Sequence, residues 1–412
     1  MRHLLLALAL LPAFAGQAPG NEARTAIGDV PRTYTHFMNA QEAALCRANA
    51  ATGGVSAYFF NPAVLSEVSG ISGQASMRFN VKSRDYLPQQ ESNYLDVDSD
   101  DSVLFSQAVA AKGAENITFG FGYSTPAYRN LRLTGQLEDP LAGAIRYAGD
   151  YTGSLRHFEL LGAVRIGSDG QAGVGLAAGI ASFDEYAREV AGPEQNHSRA
   201  QLDGMAASAA IGFIFDATDK LTIGAGYRFG TSFDVDGEWK PPQDTDIDPD
   251  PAKKGTVKTE PVAVGGIRFS PTENYSIYLG YTNEGWDSAD ATFAAYYPTA
   301  PCDQCEAEDA AERDEFDKAL GTFALGAEGT ILDGRLTLRA GYSLPQTSGF
   351  SNDDEPEYRE LVPQYAAGLG GTWHFEAYSI DAALVREEFA DGDETGQVVN
   401  TGIYLSVGYD FE

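Results

Sequence analysis

Polar and apolar residues alternate with a period of two along much of this chain, which is the spacing of a β-strand with one apolar face. In residues 71 to 82, apolar or small residues fall on the odd positions and polar residues on the even ones. Ile71 and Met77 would then face lipid, whereas Gln74 and Arg78 would face an interior. A helix would mix the two sets on every face, so the pattern predicts a strand.

The same alternation recurs along the chain, and we count about fourteen predicted strands. They cover 71–82, 102–111, 117–123, 158–166, 174–180, 211–215, 221–229, 262–269, 275–281, 319–331, 336–342, 363–375, 377–388 and 400–411. An even number of strands returns both ends of a chain to the same side of a membrane.

The predicted connections alternate between six short and seven long ones. The short ones are 112–115, 167–170, 217–219, 271–273, 333–334 and 376, and the long ones are 83–101, 124–156, 184–204, 234–261, 287–318, 343–362 and 389–399. Outer-membrane barrels have short periplasmic turns and long extracellular loops. We therefore predict an all-β fold: a transmembrane antiparallel β-barrel of about fourteen strands over residues 71–412, with both ends in the periplasm. The apolar alternation that ends at Phe411 is typical of strands inserted by the outer-membrane assembly machinery.

The start of the chain, residues 1–18, reads as a cleaved signal peptide. Arg2 precedes an apolar stretch from Leu4 to Ala15 that ends among small residues and is too short for a membrane helix. No later apolar run approaches the roughly 18 residues of such a helix, so a spanning structure must be a closed barrel. These features predict export to the cell outer membrane.

Composition agrees with a barrel, because 45 Gly, 21 Tyr and 22 Phe suit small lumen-facing residues and aromatic girdles. A formal net charge of −31 argues against nucleic acid as a partner. Solvated acidic loops explain this charge, and divalent-cation binding among lipopolysaccharide is the alternative. The acidic run 96–101 is no EF-hand, since Asp101 and Gln107 stand where that loop needs Gly and Glu.

Cysteines and histidines offer little chemistry. Cys302 and Cys305 lie in an acidic segment, and a small loop disulfide between them is the prediction for an exported protein. The five histidines form no i,i+4 pair, so we predict no metal and no cofactor. We also predict no enzyme; the open alternative is that His157 or His197 meets a nucleophile in the folded barrel.

Residues 19–70 lack sustained alternation, and residues 47–63 within them carry a resemblance to a known family. This stretch ends in Asn61-Pro62-Ala63 and resembles the hatch end of the FadL family, whose members transport long-chain fatty acids and other hydrophobic molecules across the outer membrane. Residues 325–328 and 336–343 resemble that family's penultimate barrel region. The resemblance implies a hatch, or plug, over 19–70; a periplasmic tail is the alternative. Asn61-Pro62-Ala63 is then a turn that anchors the plug to the barrel wall.

The resulting functional hypothesis is passive uptake of a hydrophobic small molecule, such as a fatty acid or hydrocarbon, through a plugged and monomeric barrel. Candidate capture residues in the long connections are Tyr128, Leu131, Leu133, Leu137 and Leu141, followed by Phe293, Tyr296 and Tyr297. The family resemblance also implies a lateral exit at a kink in the third strand, which we expect near 117–123, before Pro126. Lipid, lipopolysaccharide and the assembly machinery are the expected envelope partners.

Inward-facing charges are open to two interpretations. Predicted inward positions are Arg78, Glu159, Arg165, Arg228, Glu328, Arg335, Arg339 and Asp381. They form ladders that stabilise the barrel or hold the plug, or they line an ion-selective porin. The alternatives to a transporter are therefore a general or ion-selective porin, and a barrel that acts as a secretion or assembly partner.

Overall fold

A computed structural model describes residues 37–86, 94–99, 104–114, 116–139, 143–167, 171–191, 197–240, 253–259, 261–284, 290–293, 320–345, 361–391 and 397–411. The predicted signal peptide lies outside the described residues, and so does the predicted disulfide between Cys302 and Cys305.

The strands form one antiparallel sheet of eighteen segments. They are β1 (Ile71–Tyr86), β2 (Tyr94–Ser99), β3 (Leu104–Ala114), β4 (Ile117–Asp139), β5 (Gly143–Ile166), β6 (Ala172–Ala191), β7 (His197–Thr218), β8 (Leu221–Arg228), β9 (Ser232–Lys240), β10 (Lys253–Lys258), β11 (Val262–Thr272), β12 (Tyr275–Glu284), β13 (Asp290–Phe293), β14 (Leu320–Ile331), β15 (Leu336–Pro345), β16 (Leu361–Phe375), β17 (Tyr378–Asp391) and β18 (Gln397–Phe411). The sheet closes on itself, because β1 pairs with β18 from Ile71 opposite Phe411 onward.

Four pairs of segments continue one another, so the eighteen segments make fourteen barrel strands. β4 pairs with both β2 and β3, and β7 pairs with both β8 and β9. On the next two strands, β10 continues into β11 and β12 into β13. The prediction of a closed transmembrane barrel of fourteen antiparallel strands is confirmed. The stretch 325–343 lies on β14 and β15, the tenth and eleventh barrel strands, so its assignment to the penultimate region is wrong.

Short turns lie where the sequence predicts them, but several of the predicted long loops are strand. β4 and β5 stay paired from Ile117 opposite Val164 to Asp139 opposite Gly143. The predicted loop 124–156 is therefore mostly a long hairpin, and the predicted loop 184–204 is mostly β6 and β7. The apolar alternation fades there because a strand beyond the bilayer needs no lipid-facing side chains, although its backbone pairing continues.

The outward face of the barrel is an apolar belt between aromatic girdles. Leu160 and Leu369 are 72% and 64% exposed, as expected only where lipid covers them. Outward aromatic residues at the short-turn end are Phe215, Phe269, Tyr275, Trp373, Phe375 and Tyr378, and those toward the other end include Phe158, Tyr227, Phe323 and Tyr342.

Within the described ranges, no helix has the length and apolar character that crossing a membrane would require.

Residues 37–70, here called the luminal segment, lie inside the barrel. The segment contains a short helix, α1 (Ala40–Ala44), and two 3-10 helices, Val55–Ala57 and Pro62–Glu67. The Asn39 side chain caps α1 by accepting from the Glu42 N–H. The alanines of α1 make it narrow enough to pack against β16 and β17. The predicted hatch begins at residue 19, and its part before residue 37 is not among the described residues.

Glycines of the inner wall make room for the backbone of the luminal segment. A Cβ on Gly212 would overlap the Asn61 side chain, and one on Gly175 would overlap the Pro62 backbone. Similar contacts pair Gly122 with Tyr58, Gly226 with Phe60, Gly224 with Ala51, Gly280 with Ala48, Gly341 with Leu45, and Gly368 with Ala43. A side chain at these wall positions would push the segment away from the strand.

This packing predicts that Gly212→Ala displaces the luminal segment without unfolding the barrel. The added methyl overlaps the Asn61 amide. It should therefore weaken the packing of the luminal segment against the barrel wall, here called its seating, by about 1–3 kcal/mol. Seating is measured by thiol labelling of Cys46, which is buried and unpaired, in a Cys302→Ser, Cys305→Ser background. Gly162→Ala is the matched control, because nothing lies within 4 Å of the place that its added methyl would take. Equal labelling of both variants would contradict this account.

Candidate functional site

Asn61-Pro62-Ala63 joins the luminal segment to the barrel wall. Asn61 is fully buried, and its Nδ2 donates to the Ala51 carbonyl at 2.6 Å and to the Phe213 carbonyl of β7 at 3.0 Å. Its Oδ1 accepts from the Ala63 N–H at 3.1 Å and so caps the second 3-10 helix, which Pro62 begins. One amide thus connects two turns of the segment with a strand. These contacts fit the predicted anchoring role, which remains a prediction.

The third barrel strand, β4, contains a bulge beside this segment. Its pairing with β3 runs only as far as Gln107 opposite Tyr123, whereas β3 goes on pairing with β1 as far as Leu104. Against β5, the register of β4 shifts between Ser124 and Ala127. Pro126 at this point has no N–H to donate to a neighbouring strand. The strand therefore does not end before Pro126, as the sequence suggested, but passes through it by a bulge.

Tyr58 of the luminal segment lies directly against the bulged part of β4. A Cβ on Gly122 would overlap its ring, and its Oη lies 3.5 Å from the Gln107 carbonyl of β3. On the strand, Thr125 donates to the Tyr123 hydroxyl at 3.2 Å. The segment and the interruption in the wall therefore meet at one place.

Five buried apolar side chains line the inner wall on the long-strand side of this junction: Leu155, Phe183, Phe233, Val235 and Val257, here called the inner apolar row. They are neighbours by register. Leu155 lies opposite Ala127, just past the bulge, and opposite Phe183 on its other side. Phe183 is opposite Gly204, which is opposite Val235, and Phe233 is opposite Val257. The row is therefore a continuous apolar cluster that begins at the bulge, and its side chains are at most 6% exposed.

A buried ion pair holds the luminal segment next to this surface. Arg228 of β8 donates to both carboxylate oxygens of Glu159, at 2.5 and 2.9 Å, and to the Phe59 carbonyl of the segment at 2.8 and 3.1 Å. Its guanidinium also lies 3.8 Å from the centre of the Phe59 ring. Ser208 donates to Glu159 at 2.5 Å, and His157 completes the group, here called the latch cluster. All four of its side chains are nearly inaccessible to solvent.

The latch cluster places a histidine beside a serine, which the sequence left open as a route to catalysis. His157 Nδ1 lies 2.9 Å from Ser208 Oγ. However, the Ser208 hydroxyl points at Glu159, and Arg228 Nη1 lies 3.4 Å from the same Nδ1. The imidazole is therefore not placed to remove the serine proton, and the site is sealed by Phe59. These contacts favour a structural role for His157.

Most of the predicted inward charges do lie inside the barrel and are paired. Arg335 is the exception: it lies in the exposed turn between β14 and β15, since the strand ends before it. The other arginine pairs are Arg47 with Glu42 and Glu284, Arg78 with Glu387, Arg165 with Asp216, Arg268 with Glu67, and Arg339 with Glu328 and Asp381. Paired, buried charges fit ladders that hold the segment better than the open charged lining of an ion-selective pore.

Glu42 is the carboxylate within the luminal segment itself that is most strongly affected by burial. Its Oε2 accepts from the Met38 N–H at 2.9 Å and its Oε1 accepts from Arg47 Nε at 3.1 Å. Arg47 Nη1 donates at 2.9 Å to Glu284, so two carboxylates share one guanidinium. Burial raises the pKa of Glu42 to about 7, although the charge of Arg47 opposes this shift.

The predicted capture residues are either in strands or outside the described residues, and Tyr128 is next to Ala127, which is opposite Leu155 of the inner apolar row. Tyr128, Leu131, Leu133 and Leu137 are in β4, and Phe293 ends β13, so none of these belongs to a loop. Leu141, Tyr296 and Tyr297 are not described. Capture by this group remains a prediction. Across the part of the chain that is described, no group of three or more His, Cys, Asp or Glu residues is arranged to hold a metal ion.

No protein-family model matches this chain, and no curated protein sequence matches it. Solved structures do. A Pseudomonas aeruginosa FadL homologue superposes with a TM-score of 0.62 at 15% identity, covering 91% of this chain and 100% of that one. The fold is FadL-like. The Pseudomonas putida toluene transporter TodX has a TM-score of 0.58 at 13% identity, covering 90% and 98% of the two chains. The Ralstonia pickettii toluene transporter TbuX has a TM-score of 0.56 at 12% identity, with coverage of 90% and 98%.

The contacts within the latch cluster predict that substitutions of Arg228 and Glu159 have non-additive effects on the stability of the protein. Arg228→Met leaves Glu159 buried without its cation and should destabilise the protein by about 3–5 kcal/mol. The double variant Arg228→Met, Glu159→Gln removes both charges and should recover much of that loss. Thermal unfolding in detergent measures both variants. Additive losses would show that the pair is not coupled.

The raised pKa of Glu42 predicts that the luminal segment is held less firmly in the barrel as pH rises. Its pKa is raised from the ordinary 4.5 to about 7 in the seated segment, so the seating free energy is greatest below pH 4.5 and decreases as pH rises to 7. Cys46 labelling, corrected for the pH dependence of a free thiol, should therefore rise by roughly 70-fold between pH 5 and 8. Glu42→Gln carries the same thiol and should lack this rise. An identical pH profile in both proteins would refute the assignment.

Proposed function

We propose that this protein is an outer-membrane transporter that lets hydrophobic small molecules enter the cell passively. Residues 1–18 serve as its signal peptide, residues 19–70 as its hatch and residues 71–412 as its barrel, which acts as a monomer inserted by the assembly machinery. Long-chain fatty acids and hydrocarbons are the candidate cargoes. The names of the similar structures, a FadL homologue and two toluene transporters, agree with this class of cargo.

The observation that carries the proposal is the position of the inner apolar row. Large apolar side chains on the inner face of a barrel serve no contact with lipid, and most other inward positions here are small or polar. These side chains are at most 6% exposed, so a hydrophobic cargo would replace the protein atoms that cover them and would gain about 25 cal/mol for each Å² of apolar surface that it buries. The row therefore supports a binding surface inside the barrel, on the extracellular side of the luminal segment.

The junction of the row with the β4 bulge supports a route out of the barrel. The luminal segment packs against the inner wall below the row, so an axial path would require it to move. Leu155 instead adjoins the bulge, where β3 and β4 stop pairing after Tyr123. We propose that cargo leaves sideways at this point, between the two strands, and enters the membrane. Such a step needs no energy source, because the cargo partitions from an apolar surface into lipid.

An open or ion-selective porin is the competing function. It would give a large, steady single-channel conductance in planar bilayers, whereas a barrel with a seated segment should give a conductance near zero. Mass spectrometry of ligands retained on gently purified protein adds a second criterion. A stable open conductance together with no retained hydrophobic ligand would overturn the transporter proposal.

Uptake should depend on the inner apolar row. Phe183→Asn places an amide in the apolar surface and should lower uptake of a labelled fatty acid or toluene by roughly tenfold. Met205→Gln is the control, because it changes an outward residue that is 69% exposed. Cys46 protection confirms that the luminal segment is still seated in each variant. Unchanged uptake by Phe183→Asn would remove the row from the transport path.

A further inference from the structure

The interruption between β3 and β4 is covered from inside the barrel. The two strands pair as far as Gln107 opposite Tyr123. In the same register Ser106 would next lie opposite Ser124, but the described parts of the two strands form no pair there or beyond. Ser124 and Pro126 are nevertheless buried. Unpaired backbone at membrane depth is tolerated where other protein atoms cover it, so the luminal segment must supply this cover.

Tyr58 is the side chain of the luminal segment that reaches this gap. Its ring lies against Gly122 of β4, where an added Cβ would overlap the ring. Its hydroxyl lies 3.5 Å from the carbonyl of Gln107, the last residue of β3 that pairs with β4. The side chain is only 3% exposed. One aromatic ring therefore extends from β4 to the edge of β3 that β4 has left unpaired.

Polar contacts contribute little to closing the gap. The distance of 3.5 Å between the Tyr58 hydroxyl and the Gln107 carbonyl is at the upper limit for a hydrogen bond. Ser124 Oγ is inaccessible to solvent and has no partner in good hydrogen-bonding geometry among the described residues. Pro126 has no N–H to donate. The volume of the Tyr58 ring, rather than its hydroxyl, is therefore what closes the wall.

The backbone around Tyr58 is fixed, which leaves its side chain as the part that can move. The Tyr58 N–H donates to the Val55 carbonyl at 3.2 Å. The next carbonyl, that of Phe59, accepts from Arg228 at 2.8 and 3.1 Å, and the Asn61 amide is bonded to β7. Rotation of a side chain is faster and less costly than release of a bonded backbone. The gap can therefore open while the luminal segment stays seated.

The gap has lipid on one side and the inner apolar row on the other. On the outward face, the ring of Tyr123 lies 4.9 Å from that of Phe158, which belongs to the aromatic girdle at the long-strand end. On the inward face, Leu155 of the inner apolar row lies opposite Ala127, just past the gap. The Tyr58 ring thus stands between an apolar cluster and the membrane.

We propose that Tyr58 is the gate of the lateral exit. Its ring closes the gap between β3 and β4 when it lies against Gly122, and its rotation away from that glycine connects the inner apolar row with lipid. This inference rests on the proposed function, in which cargo leaves the barrel at this point. It adds that one side chain controls the exit.

The test measures access to the gap from the lipid side. Ser124→Cys is introduced into full-length protein without the native cysteines, and the protein is placed in phospholipid vesicles. A maleimide with an octadecyl chain reports access from the bilayer, and a sulfonated maleimide reports access from water. Tyr58→Ala should speed labelling by the octadecyl reagent by roughly tenfold or more, because loss of a buried aromatic ring removes more packing free energy than a tenfold change requires.

Three further variants separate the gate from general loosening of the segment. Tyr58→Phe keeps the ring and should label as slowly as the parent protein. Gly122→Ala keeps the ring but displaces it, and should speed labelling by the octadecyl reagent. Phe60→Ala is the matched control: it removes a ring of the same segment that is 1% exposed and packs against Arg47, and it should leave labelling unchanged. Heat-modifiable gel mobility verifies that each barrel is folded.

Slow labelling of both Tyr58→Ala and Gly122→Ala would overturn the gate, and so would equally fast labelling of Phe60→Ala. Equal acceleration by the sulfonated reagent in Tyr58→Ala would also overturn it, because the opening would then lead to water. The labelling needs no cargo, so the two proposals fail separately. Absence of hydrophobic uptake in every variant would reject transport alone, whereas normal uptake with unchanged labelling would reject the gate alone.

Discussion

The close approach between inner-wall glycines and the backbone of the luminal segment governs the rest of this structure. Fourteen strands enclose a lumen that side chains alone would leave partly empty. Here, glycines bring the segment within contact distance of most strands from β4 to β16. Gly212 admits Asn61, and Gly122 admits Tyr58 beside the β4 bulge. The placement of the candidate site follows from these contacts, because they fix where the segment ends and the inner apolar row begins.

Buried charge and backbone strain are concentrated where the segment is held. Cys46 and Arg47 adopt positive φ angles of 48° and 69°, a conformation that non-glycine residues rarely take and that must be maintained by their surroundings. Arg47 pairs with both Glu42 and Glu284, and Arg228 donates a hydrogen bond to the Phe59 carbonyl of the segment. Breaking either pair leaves a buried charge unmatched, which destabilises the seated segment.

Sequence predicted the barrel and the places of its short turns, because period-two alternation and loop length are local properties. It misplaced the ends of the strands, since β4 and β5 continue as a hairpin where no lipid demands apolar residues. It also missed the inner apolar row. The sequence did contain an indication of it. Leu155 and Phe183 are large apolar residues at inward-facing positions of the alternation, where neighbouring strands have glycine, alanine or polar residues. The meeting of Ser208, His157 and Arg228 depends on three different strands, β7, β5 and β8, and no local pattern reveals it.

The central claim is that hydrophobic cargo passes beside the seated segment rather than through the space that it occupies. A disulfide between Ala48→Cys and Gly326→Cys tests this, because the Ala48 Cβ lies 3.2 Å from the position of a Cβ on Gly326, close to disulfide geometry. The measurement is uptake by this variant, in a background without the native cysteines, before and after reduction. We expect the cross-linked protein to transport at nearly the reduced rate. Uptake that stops on cross-linking and returns on reduction would show that the segment must leave the barrel.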